Sequence, residues 1–157
     1  MKLKLLPKFF ISDEPPRKKF EDYLVDTGRK FDTKGYKKIV ILDTETNGVR
    51  KANDDLLSVS IFNPSTGICY NRYFPLDMQP VVLTSHIHGI TDNDLVNELH
   101  WTQEEVDKII EYFDLKNALI FSYSGGQGTF DSSFIINYCK RCMKTQYCIK
   151  FIFFQYI

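Results

Sequence analysis

Hydrophobic residues run through this chain in short blocks, and the blocks follow two spacings. Lys38–Leu42, "KIVIL", is an aliphatic, β-branched run that predicts a buried strand. Leu56–Phe62, "LLSVSIF", and Ile68–Phe74, "ICYNRYF", predict two more. The turn formers Asn63–Gly67 between them make a hairpin with a five-residue loop. The spacing then changes. Val106, Ile109, Ile110 and Phe113 fall at i, i+3, i+4 and i+7, an apolar stripe on a helix that Thr102 and Glu105 would open as a capping box. Ala118–Tyr123, "ALIFSY", predicts a fourth strand, and Ser124–Gly128, "SGGQG", a turn. Thr129 would cap a helix from Phe130 to about Arg141, with Phe134, Ile135 and Tyr138 on its buried face. The apolar stretch 147–157 has the composition of a fifth strand. Ahead of all this, Pro15-Pro16 breaks residues 1–36, where Arg17–Val25 suggests a short helix. The expected class is α/β: a mixed sheet opening with three antiparallel strands, followed by helix, strand and helix.

Composition narrows the class without naming a function. With 157 residues, 43% of them apolar and 25% charged, the chain is long enough for one domain with its own core. Net charge is zero but uneven. Residues 1–38 hold eleven Lys/Arg against six Asp/Glu, a net of +5, so the rest nets −5. Such an arm is either a solvated, partly disordered or helical lead-in or a means of steering a polyanion. The domain proper is expected over 37–157. No apolar run reaches the ~20 residues of a membrane span. The opening "MKLKLLPKFFISDEPP" lacks a cleavage site, and Pro7 and Lys8 interrupt it, so the expected location is cytoplasmic. Cys139 and Cys142 have the spacing of a metal or redox pair. A closed zinc site needs four ligands, only Cys148 lies near, and no His follows His100, so ordinary half-buried thiols are expected.

The candidate chemistry sits where the first strand ends, at "DTETNG", Asp43–Gly48. Residues i and i+2 of a strand point to the same side, so Asp43 and Glu45 project together. Carboxylates that close repel unless a cation lies between them or one holds a proton, and a hard ion such as Mg²⁺ or Mn²⁺ suits oxygen donors. An acidic turn capping the strand exit is the plainer alternative. Asp131 would occupy the first turn of the late helix, near its positive end, whether as a simple N-terminal helix residue or as a third acid of one site.

Taken together, "IVILDTETNG", "LLSVSIFNPSTG", "HIHGITDNDL" and "FSYSGGQGTFDSSFI" resemble the DnaQ-like exonucleases of the DEDD group, over about Ile39 to Tyr138. The resemblance implies a ribonuclease H-like fold and 3′–5′ hydrolysis of phosphodiester bonds at a single-stranded DNA or RNA 3′ end. It implies that Asp43 binds two divalent ions, Mg²⁺ or Mn²⁺, that Glu45 serves the ion activating water, and that Asp131 serves the other. It also places the backbone of Thr46, Asn47 and Gly48 near the terminal nucleotide. His88, in the "HGIT" segment, is expected to be structural or on the substrate side. Where relatives carry His and Asn ahead of the second-motif Phe-Asp, this chain has Gly126 and Gln127.

The family's third motif, a His or Tyr followed by a fourth acid, has no counterpart. No Asp or Glu follows Asp131, and no His follows His100. The expectation is an incomplete domain, truncated before the third motif and lacking the C-terminal part of the fold, with little activity alone. Two other readings stand beside it: a non-catalytic nucleic-acid-binding remnant, and an interaction protein whose acids are only caps.

Overall fold

The structure, a computed structural model, describes residues 14–35, 38–122 and 130–143. The expected turn at 124–128, the Thr129 cap, Gly126, Gln127 and the expected strand at 147–157 lie outside the described residues.

A five-stranded mixed sheet forms the centre: β1 (Leu24–Asp26), β2 (Ile39–Thr46), β3 (Leu56–Asn63), β4 (Ile68–Tyr73) and β5 (Leu119–Ser122), in the order β1-β4-β3-β2-β5. β2, β3 and β4 run antiparallel as the hairpin pattern predicts, and β5 joins β2 in parallel, with Leu42 beside Ser122. The α/β class with a mixed sheet is therefore what the chain adopts. Among the described residues four short α-helices accompany the strands: α1 (Ser85–His88), α2 (Asp92–Leu95), α3 (Gln103–Tyr112) and α4 (Phe130–Tyr138), the last continuing as a π-turn over Cys139–Met143.

Alternation along β2 determines what lies on each face. Val40, Leu42 and Thr44 are buried, whereas Ile41 and Asp43 are exposed. The buried side meets Val106, Ile109 and Phe113 of the α3 stripe and Phe134, Ile135 and Tyr138 of α4 in one core with Val59, Ile61, Tyr70 and Phe74. A second, smaller cluster joins Leu57 to Ile90 and Leu95, fastening the α1–α2 excursion to the sheet. No helix among the described residues is long and apolar enough to cross a membrane.

Three local expectations change. The first strand extends through the acids to Thr46, because β3 supplies ladder partners as far as Leu56. In place of a helix over Arg17–Val25 there is one 3₁₀ turn, Phe20–Tyr23, and then β1, which closes the outer edge of β4. Phe20 and Tyr23 both pack on Tyr70, with ring centroids 5.6 and 5.8 Å away, and this burial outweighs local helix preference. The α3 capping box is half made. Thr102 Oγ1 accepts from the Glu105 amide at 3.2 Å, but the Glu105 carboxylate turns inward to Tyr70 and Arg72.

Candidate functional site

β2 and β5 run parallel, so their carboxyl ends open on one edge of the sheet, the usual place for ligands in α/β folds. Asp43 and Glu45 stand at that end of β2. They share a face by the two-residue repeat, and Thr44 between them points into the core. A register shift between Glu45 and Thr46 relieves the strict pleat there. Irregularities of this kind commonly re-aim side chains beside functional sites.

Asp131, in the first turn of α4, comes to the same strand end from the buried side. Thr44 Oγ1 donates to its Oδ1 at 2.5 Å, and the Ser122 hydroxyl donates to its Oδ2. Asp131 is thereby fixed to β2 and β5 together. It is almost fully enclosed, and each of its oxygens keeps a second lone pair. The loop after β2 adds two further ties to α4: Lys51 Nζ lies 3.4 Å from Ser133 Oγ, and Asn137 Nδ2 donates to the Lys51 carbonyl at 2.8 Å.

Electrostatics join the three acids. Although Asp43 lies on the solvent-facing side of β2, the protein around the strand end desolvates its carboxyl and raises its pKa above the usual carboxylate range, and the Asp131 charge adds to it. Glu45 is raised by burial, then by Asp43 and by Asp131. Both groups thus experience Asp131 as a neighbouring negative charge, although Asp131 makes its hydrogen bonds on the Thr44 side. A donor set of carboxylate oxygens under mutual repulsion is the chemistry that a hard divalent ion relieves. The structure does not place the three carboxylates in contact; it places them in electrostatic reach.

The segment Thr46–Gly48 is held rather than loose. Asn47 is buried: its Nδ2 donates to the Val81 carbonyl at 2.9 Å, and its Oδ1 accepts from the Leu83 amide at 2.5 Å. Gly48 has φ +155°, and a Cβ there would stand 2.2 Å from Asp54 Oδ2, so only glycine fits. His88 belongs to the same framework. Its Nδ1 accepts from the Ile90 amide at 3.0 Å, which leaves the proton on Nε2, 2.8 Å from Thr84 Oγ1. Thr84 in turn donates to the Thr46 carbonyl at 2.8 Å. Burial and then His86 lower the His88 pKa, in keeping with a neutral ring. Both of its nitrogens are engaged within the chain, so His88 positions the Thr46 backbone through Thr84.

Sequence reasoning passed over Thr44 and Ser122, the two hydroxyls that orient Asp131. Thr44 carried a usable signal: a polar residue on the buried phase of an otherwise apolar strand needs a partner. Asp55 was also passed over. It is buried, and its carboxylate accepts from the amides of Asp77, Met78 and Gln79 at 2.9–3.1 Å, which anchors the chain leaving β4.

No family model matches the chain, and no curated protein does. Among solved structures it is similar to a moderately thermophilic Exonuclease I from Methylocaldum szegediense, at 18% identity and a TM-score of 0.47 over 68% of this chain. The chain spans 23% of that protein's length.

Proposed function

We propose that this chain acts at nucleic-acid 3′ ends as a metal-dependent phosphodiesterase of the DnaQ-like exonuclease kind, with Asp43, Glu45 and Asp131 as its metal-holding carboxylates. The observation that carries the reading is the meeting of three carboxylates at the open end of the sheet, where desolvation and then Asp131 raise the Asp43 pKa, and desolvation, Asp43 and Asp131 raise that of Glu45. Mg²⁺ or Mn²⁺ held there would supply a Lewis acid and a water of lowered pKa.

The chain's own residues do the remaining work. Asp43 and Glu45 present oxygens from one face of β2. Thr44 and Ser122 hold Asp131 in one rotamer, which fixes where its free lone pairs point. The Thr46–Gly48 backbone, locked by Asn47, Thr84 and His88, forms the rigid wall along which a terminal nucleotide would lie.

A second reading keeps the same site without hydrolysis. One assay separates the two. DNA and RNA oligonucleotides labelled at the 5′ end are incubated with the full chain and Mg²⁺ or Mn²⁺. Progressive 3′ shortening, lost in Asp43→Ala, is the expected result. Intact oligonucleotide at high protein concentration would overturn hydrolysis, and metal-dependent retention of the oligonucleotide would then support the second reading.

A further inference from the structure

We propose that Asp77, His100 and Cys142 form a separate site for Zn²⁺ or a similar borderline-soft divalent ion, beside the π-turn that follows α4. This inference stands apart from the carboxylate site and does not depend on it.

The three residues come from three unconnected parts of the chain: the segment after β4, the residues leading into α3, and the π-turn after α4. Folding nevertheless brings one ligand atom from each to within 4.8 Å of the other two. Tetrahedral zinc takes sulfur at about 2.3 Å and nitrogen or oxygen at about 2.0–2.2 Å, which sets ligand atoms roughly 3.4–3.6 Å apart, so the two hydrogen-bonded contacts of Asp77, at 2.9 and 3.0 Å, need to open by only a small movement to admit the ion. The donor set of imidazole, thiolate and carboxylate suits zinc and differs in kind from the all-oxygen set at Asp43. With a thiolate, an ionised carboxylate and a neutral imidazole, the ligands carry two negative charges, matching a divalent cation.

The local backbone supports this use. Cys139 is buried in the main core, and Cys142, three residues on, packs against the margin of that core and also reaches Asp77. In a regular helix such a pair would share a face. The π-turn over Cys139–Met143 changes the register between them, and π-turns often mark functional sites.

The hydrogen bonds show where a metal would enter. The Cys142 thiol donates to Asp77 Oδ2 at 2.9 Å, and His100 Nε2 lies 3.0 Å from Asp77 Oδ1. Two shared protons therefore occupy the space between the three ligands. His100 Nδ1 lies 2.9 Å from the Tyr138 hydroxyl, which also accepts from the Trp101 amide at 3.1 Å. A ligating histidine normally gives its other N–H to such a partner. Binding would shift the His100 proton from Nε2 to Nδ1, where Tyr138 oxygen accepts it, and would release the thiol proton to solvent. Three protein ligands leave a fourth position for water or an exogenous ligand.

Arg141 is the competing cation. Its Nε is 3.7 Å from Asp77 Oδ2, its Nη2 is 3.6 Å from Asp55 Oδ1, and its buried Nε has no hydrogen-bond partner among the described residues. It compensates Asp77 without bonding it well, so a metal replaces a poor partner.

The test uses the full chain and needs no variant for its main arm. Cysteines are alkylated with and without Zn²⁺, and each is mapped by peptide mass spectrometry. At free Zn²⁺ ten times the dissociation constant, mass action leaves about one site in eleven open, so Cys142 labelling should slow about tenfold while Cys69 in the same molecules is unaffected. His100→Ala should abolish the protection, Asp43→Ala should keep it, and Arg141→Gln should reach it at lower Zn²⁺. Equal Cys142 labelling with and without Zn²⁺ would overturn the proposal. So would protection that survives in both His100→Ala and Asp77→Asn.

Discussion

Gly48→Ala tests how rigidly the wall beside the acids is built. The new Cβ would sit 2.2 Å from Asp54 Oδ2 and 2.6 Å from its Cγ, at a backbone φ of +155°. Backbone strain of that kind costs about 1–3 kcal/mol. Asp54 cannot simply move aside. It is buried, and its carboxylate accepts from the Arg50 amide at 2.8 Å, Arg50 Nη2 at 2.9 Å and Gln79 Nε2 at 3.1 Å. Displacing it forfeits charge-assisted bonds worth about 1.5–3 kcal/mol. A loss near 4 kcal/mol is a large part of the roughly 5–15 kcal/mol of a typical domain and corresponds to a midpoint lower by roughly 8–16 °C. The assay is a double-mutant cycle by urea denaturation with Gly48→Ala, Asp54→Ala and both. The Asp54 bonds are lost in each single variant but only once in the double, so the double should be about 1.5–3 kcal/mol more stable than the sum of singles implies. Additivity within about 0.5 kcal/mol would refute the clash as the reason for glycine.

Glu105→Ala removes the partner that Arg72 Nε bonds at 2.9 Å, where the Arg72 side chain is 0% exposed. Urea denaturation should register a loss of about 3–5 kcal/mol, softened toward the lower end because Glu98 still pairs with Arg72 Nη1 at 2.9 Å. For Asp43→Asn the expected sign is opposite. A carboxyl whose folded pKa is raised contributes stability below its unfolded pKa and loses it as pH rises through the folded value. Without divalent ions, Asp43→Asn should therefore melt above wild type at pH 7, and the gap should close as pH falls through the carboxylate range; a constant gap would contradict the assignment. Thr44→Val deprives Asp131 of one hydroxyl donor, so 3′ shortening should slow while Mn²⁺ still binds, measured by oligonucleotide assay and calorimetry on one preparation.

Much of the scaffold was legible in the sequence because its signals were local. The hairpin came from turn formers between two β-branched runs, and α3 from a stripe whose Val106, Ile109 and Phe113 are buried as expected. Asp43 and Glu45 share a face because a strand repeats every two residues. What escaped depended on distance in sequence. β1 exists because Phe20 and Tyr23 find Tyr70, some fifty residues away, and no window around Arg17–Val25 contains that information. The inward turn of Glu105 depends on the buried Arg72, 33 residues earlier. Cys142 reads as half of a CxxC pair, yet its neighbours in space are Asp77 and His100, and only the π-turn separates it from Cys139.

Mn²⁺ titration by isothermal calorimetry, run on wild type, Asp43→Ala and Asp131→Ala, addresses the central claim most directly. If the three acids make one cation site, wild type binds Mn²⁺ with measurable heat, its melting temperature rises with Mn²⁺, and both variants lose the two effects together. Mn²⁺ binding that persists unchanged in Asp43→Ala, or wild type that takes up none, would contradict it.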